Sequence, residues 1–310
     1  MLRRAGYVLP LLGLLESTSA LANGRYPRAD QLLVDPSDAT HLVLRATFGV
    51  LLSHDAGRSW GWVCEAGLGY TGDVDPALAV FADGSVAVAY PRDLLVSHDS
   101  GCEWASAFSK SAKESFVDAT LDAGDPTQAI FLSRRTDAAH LTHLVSANQT
   151  AAPPRSLGNA LGDDLSPLTL EIAPSEPSRI YVTALSKELT GVLLRSDDRG
   201  QTWQRYPIQP DETLAPYIAA VDPTNPGRLY LRLDGASSDA LLVSDDGGAS
   251  FAEAFTLDGD LLGFALSPDG QRVALGGPGA GLFVADAARL RFAPSPAPFA
   301  NLSCLKWTSG

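Results

Sequence analysis

The chain has 310 residues, with 23 Lys plus Arg against 36 Asp plus Glu and a formal net charge of −13. That acidic balance argues against a nucleic-acid partner, because binding to a phosphate backbone needs clustered cations. Hydrophobic content of 45% excludes a disordered chain, and 28 Gly and 21 Pro spread along the sequence favour many turns and short strands over long helices.

The first element is a targeting segment. Arg3 and Arg4 form a basic start, Gly6 to Leu15 is apolar but short for a bilayer span, and Ala20-Leu21-Ala22 is a small-x-small cleavage site. Residues 1–22 therefore read as a secretory signal peptide cut after Ala22. Loss of Arg3, Arg4 and Glu16 leaves a mature chain of net charge −14. No Cys lies near the cut to carry a lipid, and no later run reaches 18 apolar residues. The expected product is secreted or periplasmic, without stable membrane insertion.

One short motif then returns four times. Ser53-His54-Asp55-Ala56-Gly57-Arg58-Ser59-Trp60 is followed by Ser97-His98-Asp99-Ser100-Gly101-Cys102-Glu103-Trp104. It recurs as Ser196-Asp197-Asp198-Arg199-Gly200-Gln201-Thr202-Trp203 and as Ser244-Asp245-Asp246-Gly247-Gly248-Ala249-Ser250-Phe251. The serines are 44, 99 and 48 residues apart, so one unit in the middle has lost its motif, with a remnant at Leu144-Val145-Ser146-Ala147-Asn148. A weak sixth copy is Leu282-Phe283-Val284-Ala285-Asp286-Ala287. Each unit carries three further strand-like runs. In the fifth, Tyr217–Val221, Leu229–Leu233 and Ala240–Val243 lead to Phe251–Phe255, with the turn Asp222-Pro223-Thr224-Asn225-Pro226 between the first two.

Four short strands per 40 to 50 residues predict β-propeller blades, which bury their faces only by stacking around a ring. The blades fall at about 31–64, 77–108, 116–150, 167–207, 216–256 and 261–294, in one all-β domain over 23–310. Asn301-Leu302-Ser303-Cys304-Leu305-Lys306-Trp307, within 299–310, reads as the first strand of a seventh blade. The rival expectation is a closing strand laid on the first blade.

Of three cysteines, Cys64 and Cys102 are the candidate disulfide, in a compartment that permits one. Against it, aligning Trp60 with Trp104 sets the sulfurs about 20 Å apart at ~3.3 Å per strand residue. Cys304 is odd.

The motif has the chemistry of a turn. Asp accepts turn N–H groups, Ser adds a local bond, Gly supplies positive φ, and the aromatic residue anchors the next strand by burial between blades. The Asp-Asp pairs at 197–198 and 245–246 offer too few oxygens for calcium, so neither a metal nor another cofactor is expected.

Ser-x-Asp-x-Gly-x-Thr-Trp resembles the Asp box, or bacterial neuraminidase repeat. The resemblance covers nearly all of the mature chain. It implies a propeller of six to ten blades with each box at the turn between third and fourth strands, in a family of sialidases, xyloglucan hydrolases, sortilin-type receptors, photosystem II assembly factors and secreted proteins of unknown role. The boxes of such relatives usually lie away from the active site, so the resemblance speaks to fold more than to function.

Sialidases need an arginine triad, a Tyr-Glu nucleophile pair and an Asp acid/base. Gly24-Arg25-Tyr26-Pro27 echoes only two positions of their Phe/Tyr-Arg-Ile-Pro element, and Arg58, Arg195 and Arg199 are scattered through boxes and strands. A xyloglucanase cleft takes two propellers, more chain than is here. No Gly-x-Ser-x-Gly, His-Glu-x-x-His or phosphate loop occurs, and Gly276 to Gly281 reads as a hairpin turn. His41 stands alone, His54 and His98 occupy a solvent-facing box position, and His140-x-x-His143 would point to opposite faces of a strand. Asn148 and Asn301 begin glycosylation sequons, relevant only in a host that glycosylates exports. No catalytic residue is assigned. The sequence-level expectation is a secreted, monomeric, non-catalytic propeller binding a protein or glycan at one rim. The alternatives are a sialidase-type glycoside hydrolase and an envelope structural or assembly factor.

Overall fold

The computed structural model describes residues 26–71, 74–108, 113–137, 139–208, 214–296, 299 and 301–308. The signal-peptide reading of 1–22 and Arg25 of the sialidase-like echo lie outside them. The chain forms six four-stranded antiparallel sheets, each with its strands in chain order, and only one short helix among these residues. Blade 1 holds β1 (Ala29–Val34), β2 (Leu42–Ala46), β3 (Gly49–Ser53) and β4 (Gly61–Cys64), followed by the helix α1 (Glu65–Leu68). Blade 2 holds β5 (Ala77–Val80), β6 (Val86–Tyr90), β7 (Asp93–Ser97) and β8 (Ala105–Ser106). Blade 3 holds β9 (Glu114–Leu121), β10 (Gln128–Arg135), β11 (Thr142–Asn148) and β12 (Arg155–Gly162). Blade 4 runs β13 (Leu165–Ile172), β14 (Ile180–Ser186), β15 (Gly191–Ser196) and β16 (Gln204–Pro207). Blade 5 runs β17 (Ala215–Val221), β18 (Leu229–Asp234), β19 (Ser238–Ser244) and β20 (Ala252–Asp258), and blade 6 runs β21 (Gly263–Leu266), β22 (Arg272–Gly277), β23 (Gly281–Asp286) and β24 (Ala293–Pro294).

The six first strands all border one cavity, which places them innermost around a common axis and makes the molecule a β-propeller. Alternation along each strand sends side chains to both faces of a blade, and each face is buried only against a neighbour. Five buried apolar clusters result. They join blades 1 and 2 through Val43, Leu52 and Val88, blades 2 and 3 through Phe81, Phe116 and Phe131, and blades 3 and 4 through Ile130, Leu170 and Ile180. Tyr181, Leu193 and Leu229 join blades 4 and 5, and Tyr230, Leu241 and Leu275 join blades 5 and 6. Among the described residues no sixth cluster joins blade 6 to blade 1.

Two boundaries differ from the sequence reading. Blade 3 does not end near 150: its fourth strand, β12, spans Arg155–Gly162. The remnant motif does sit at the end of β11, but without a box to mark the turn the sequence concealed the longer return. The 301–308 segment forms no strand. It lies between blades 6 and 1 instead. Leu305 and Leu302 fill the space over Gly263 and Gly276 of blade 6, while Cys304 lies within the field of Asp30 and Arg45 of blade 1.

Candidate functional site

Each of the four boxes follows the third strand of its blade and closes by the same bonds. The serine hydroxyl donates to the aspartate Oδ1, from Ser53 to Asp55 and Ser97 to Asp99 at 2.9 Å, Ser196 to Asp198 at 2.7 Å and Ser244 to Asp246 at 2.8 Å. The same serine oxygen accepts the glycine N–H of Gly57, Gly101, Gly200 and Gly248. Oδ1 also accepts the backbone N–H of Ser59, Glu103, Thr202 and Ser250. The glycine and the residue before it both have positive φ, 58° and 82° at Ala56 and Gly57, and glycine at the fifth box position takes the second of these without steric cost. Hydroxyl bonds from Ser59, Thr202 and Ser250, reinforced by the N–H groups, hold Asp55, Asp198 and Asp246 down at about 2. Asp99, which faces Glu103 and has no hydroxyl at that position, is lowered chiefly by the Glu103 N–H.

The neighbouring carboxylates are absorbed by ion pairs, Asp197 with Arg179 and Arg195, and Asp245 with Arg228. Among the described residues no group of three or more His, Cys, Asp or Glu is placed to hold a metal. His140 sits in a turn at φ 46°, whereas His143 on β11 faces Glu114 at 3.4 Å. His54 is exposed on its box loop but stacks at 4.4 Å on buried His41, which bonds Asp35 at 3.0 Å.

The cysteine pairing expected from sequence is not formed: Cys64, Cys102 and Cys304 are free thiols. Val63 packs toward Gly101, beside Cys102, so Cys64 one residue later turns to the other face of β4. A second expectation also changes. Trp60 is 37% exposed and does not anchor a strand between blades, unlike Trp104, Trp203 and Phe251.

The chemistry concentrates elsewhere, in an axial cavity of 640 Å³. Asp30 and Gln31 of β1, Arg45 of β2, Asp118 and Thr120 of β9, and Glu171 of β13 line it together with Cys304, Lys306 and Trp307. These positions come from first strands that alternate, so a charged residue inside an apolar run is carried to the axis. Asp118 Oδ2 accepts the Leu170 N–H at 2.9 Å, and Thr120 Oγ1 donates to Glu171 Oε2 at 3.1 Å, tying blade 3 to blade 4. Arg45 donates to the Pro76 carbonyl at 3.2 Å. Burial pushes Asp118 up to about 6 against the pull of the Leu170 and Ala119 N–H groups and Arg45. Burial and then the Asp118 charge push Glu171 up to about 7, with Lys306 opposing. Burial and Asp30 raise the Cys304 thiol. Asp30 Oδ2, Gln31 Oε1 and Arg45 Nε are buried atoms with no hydrogen-bond partner among the described residues.

Sequence reasoning missed this set. The readable signal was a carboxylate in the middle of a first strand, in Glu114-Ser115-Phe116-Val117-Asp118-Ala119-Thr120-Leu121 and in Leu168-Thr169-Leu170-Glu171-Ile172, where blade 5 has Ala219 and Ala220. The arginines named from sequence do not converge there. Arg199 pairs with Asp122 at 2.5 Å, Arg195 bonds the Gly247 carbonyl at 3.0 Å, Arg58 belongs to the first box, and Arg45 is the one described arginine lining the cavity.

A family model described as BNR/Asp-box repeat matches residues 194–205, the end of β15 and the box of blade 4. None of the curated proteins matches the sequence. Among solved structures, YCF48 from Cyanidioschyzon merolae is similar at 13% identity, over 87% of this chain and 85% of that one, with a TM-score of 0.59. An ancestral GH74 enzyme is similar at 16% identity and a TM-score of 0.63, over 85% of this chain but 37% of its own. The GH74 enzyme of Niastella koreensis gives 15% identity and a TM-score of 0.61, over 90% and 46%. At such identities these similarities speak for the fold. No helix among the described residues is long and apolar enough to cross a membrane.

Proposed function

For a β-propeller built on BNR/Asp-box repeats, as this chain is, we propose the role of an exported, monomeric, non-catalytic binding module that takes a protein segment or glycan at the axial cavity. The observation that carries this reading is the cavity wall: Asp30, Gln31, Arg45, Asp118, Glu171 and Lys306 gather acids, an amide and cations around one 640 Å³ space. Neutral–ionised carboxylates beside cationic Arg45 and Lys306 suit hydroxyl-rich or mixed-polarity ligands, which both donate and accept. Export rests on the leader pattern of residues 1–22.

The test is binding of the labelled mature protein to glycan and peptide arrays, followed by titration of hits against Gln31→Leu and Glu171→Gln. The expected outcome is binding weakened about tenfold or more by either substitution, the equivalent of ~1.4 kcal/mol. Binding unaffected by both would remove the cavity from the reading.

A second reading, a glycoside hydrolase, is favoured by one feature. Asp118 and Glu171 share one cavity at about 6 and about 7, so Glu171 can hold a proton while Asp118 is ionised, the division of roles that acid/base chemistry on a glycosidic bond uses. Turnover of xyloglucan or a fluorogenic sialoside, lost in Glu171→Gln, would establish it in place of the binding module.

A further inference from the structure

The 301–308 segment reaches the axial cavity from outside any sheet, and Cys304, Leu305, Lys306 and Trp307 all line the space. Its fixings lie on blade 6. Gly263 of β21 and Gly276 of β22 are directly opposed in register, so two neighbouring positions on one face lack side chains and leave a shared socket. Leu302 and Leu305 fill it. A Cβ on Gly276 would come within 2.7 Å of Leu302 Cδ1, and one on Gly263 within 2.9 Å of Leu305 Cγ. Further along β22, the Arg272 guanidinium lies 5.6 Å from the centre of the Trp307 ring. The segment therefore follows the inner edge of blade 6 and is pinned at both ends.

The pins are apolar packing and one cation–π contact. Among the described residues no backbone–backbone hydrogen bond joins the segment to either blade. A strand leaving a sheet gives up a ladder of bonds, each a net contribution of about 1 kcal/mol, and this segment has no such ladder to give up. Stretches held this way belong to the low-stability end of a structure, from which gates and lids are drawn. The segment also brings a charge to the axis. The blades themselves line the cavity with Asp30, Asp118 and Glu171 against Arg45, and Lys306 supplies the second cation. Its charge acts on Glu171 against the burial that neutralises that carboxyl.

We propose that residues 302–307 form an autoinhibitory strap, a built-in occupant of the axial cavity, which is displaced by an extended peptide segment carrying aliphatic residues for the glycine socket and a lysine for the acidic wall. This strap presupposes the binding role proposed above for the cavity, and adds to it a gate and a ligand class. The strap itself specifies that ligand. Whatever replaces it meets the same socket, and without Lys306 the wall holds three acids against one arginine.

Cys304 reports opening. In a Cys64→Ser/Cys102→Ser background it is the single thiol of the chain. Its reaction with a maleimide should be slow. Leu305→Ser, which empties the socket, and Gly263→Ala, which crowds it, should each speed the reaction at least tenfold while urea unfolding shows the ring still folded. The ligand probe is a fluorescent peptide of residues 301–308 carrying Cys304→Ser. By anisotropy it should bind the Leu305→Ser protein at least tenfold more tightly than wild type, and Lys306→Gln in the peptide or Glu171→Gln in the protein should reverse that gain. Trp307→Ser replaces Leu305→Ser if the latter does not fold. Equal labelling of Cys304 in all variants, or equal peptide binding by wild type and variant, would overturn the strap. Peptide binding indifferent to Lys306→Gln would overturn the ligand class. Array hits weakened by Gln31→Leu and Glu171→Gln but unmoved by Leu305→Ser would leave the cavity a binding site and remove the strap alone.

Discussion

The first box and the box of blade 5 are the same turn in different surroundings. Both have the serine–aspartate bond, the glycine N–H on the serine oxygen and the backbone N–H on Oδ1. Yet Gly248 is pressed onto Leu193 of blade 4, whereas the atoms nearest Gly57 belong to Trp60 and Leu42 of its own blade. The motif encodes the turn. What the turn packs against is encoded in the neighbour, and a missing neighbour leaves the motif's letters unchanged.

Glycine replacement should separate the two parts. A Cβ at Gly248 would overlap Leu193 and be held at φ 88°, so Gly248→Ala combines left-handed strain with overpacking, together about 3 kcal/mol. At Gly57 the nearest atoms are Trp60 and Leu42 at 3.4 and 3.5 Å, leaving only the backbone term of about 1 kcal/mol. Urea unfolding of both variants measures the gap; equal losses would mean that docking adds nothing to the box. The aromatic position gives the next largest contrast. Trp203 packs in the cluster between blades 3 and 4 and donates toward the Asn159 carbonyl of blade 3 at 3.4 Å. Trp203→Ala should cost about 3 kcal/mol by loss of buried area and residual cavity. Trp60→Ala, at a 37% exposed ring outside every cluster, should cost about 1 kcal/mol.

That contrast also shows why parts of the molecule were readable and others were not. Six blades could be counted because box residues and Asp-Pro turns are local, and turn chemistry is written in adjacent residues. Blade 3 was cut short because its third-to-fourth-strand connection lacks the box, and Ser146 bonds Gln128 instead of closing a turn. Asn301–Trp307 has the alternation of a strand, but alternation does not provide the sheet edge that makes one. The motif implies a buried Trp60 only where a neighbouring blade supplies the other half of the contact, and that half is not written in the motif. The axial carboxylates are hidden for the opposite reason: Asp118 and Glu171 are 53 positions apart, and only the stacking of blade 4 on blade 3 brings their charges within range of each other.

The smallest predicted effect concerns pH, and it sets box carboxylates against axial ones. Asp55, Asp198 and Asp246 have folded pKa values near 2, below the ordinary 3.8, so they favour the folded state above about pH 4 and lose that contribution as pH falls toward 2. Asp118 and Glu171 shift the other way. Their folded values near 6 and 7 mean that the native state holds protons the unfolded chain has released. Their contribution is complete below about pH 4 and disappears as pH rises through 6 and 7. Wild-type stability should therefore rise from pH 2 to 4 and carry a declining component from pH 4 to 8. In the Asp118→Asn/Glu171→Gln double variant, which keeps acceptors for the Leu170 N–H and the Thr120 hydroxyl, that decline should flatten. The variant should match wild type near pH 4 and exceed it at pH 8, by on the order of 1 kcal/mol once solvent screening in the open cavity is allowed for. Urea midpoints across pH 3–8 read both limbs in one series. A variant less stable than wild type at pH 8 would show that the axial carboxylates hold blades 3 and 4 together as ions, and that the cavity wall is built for charge.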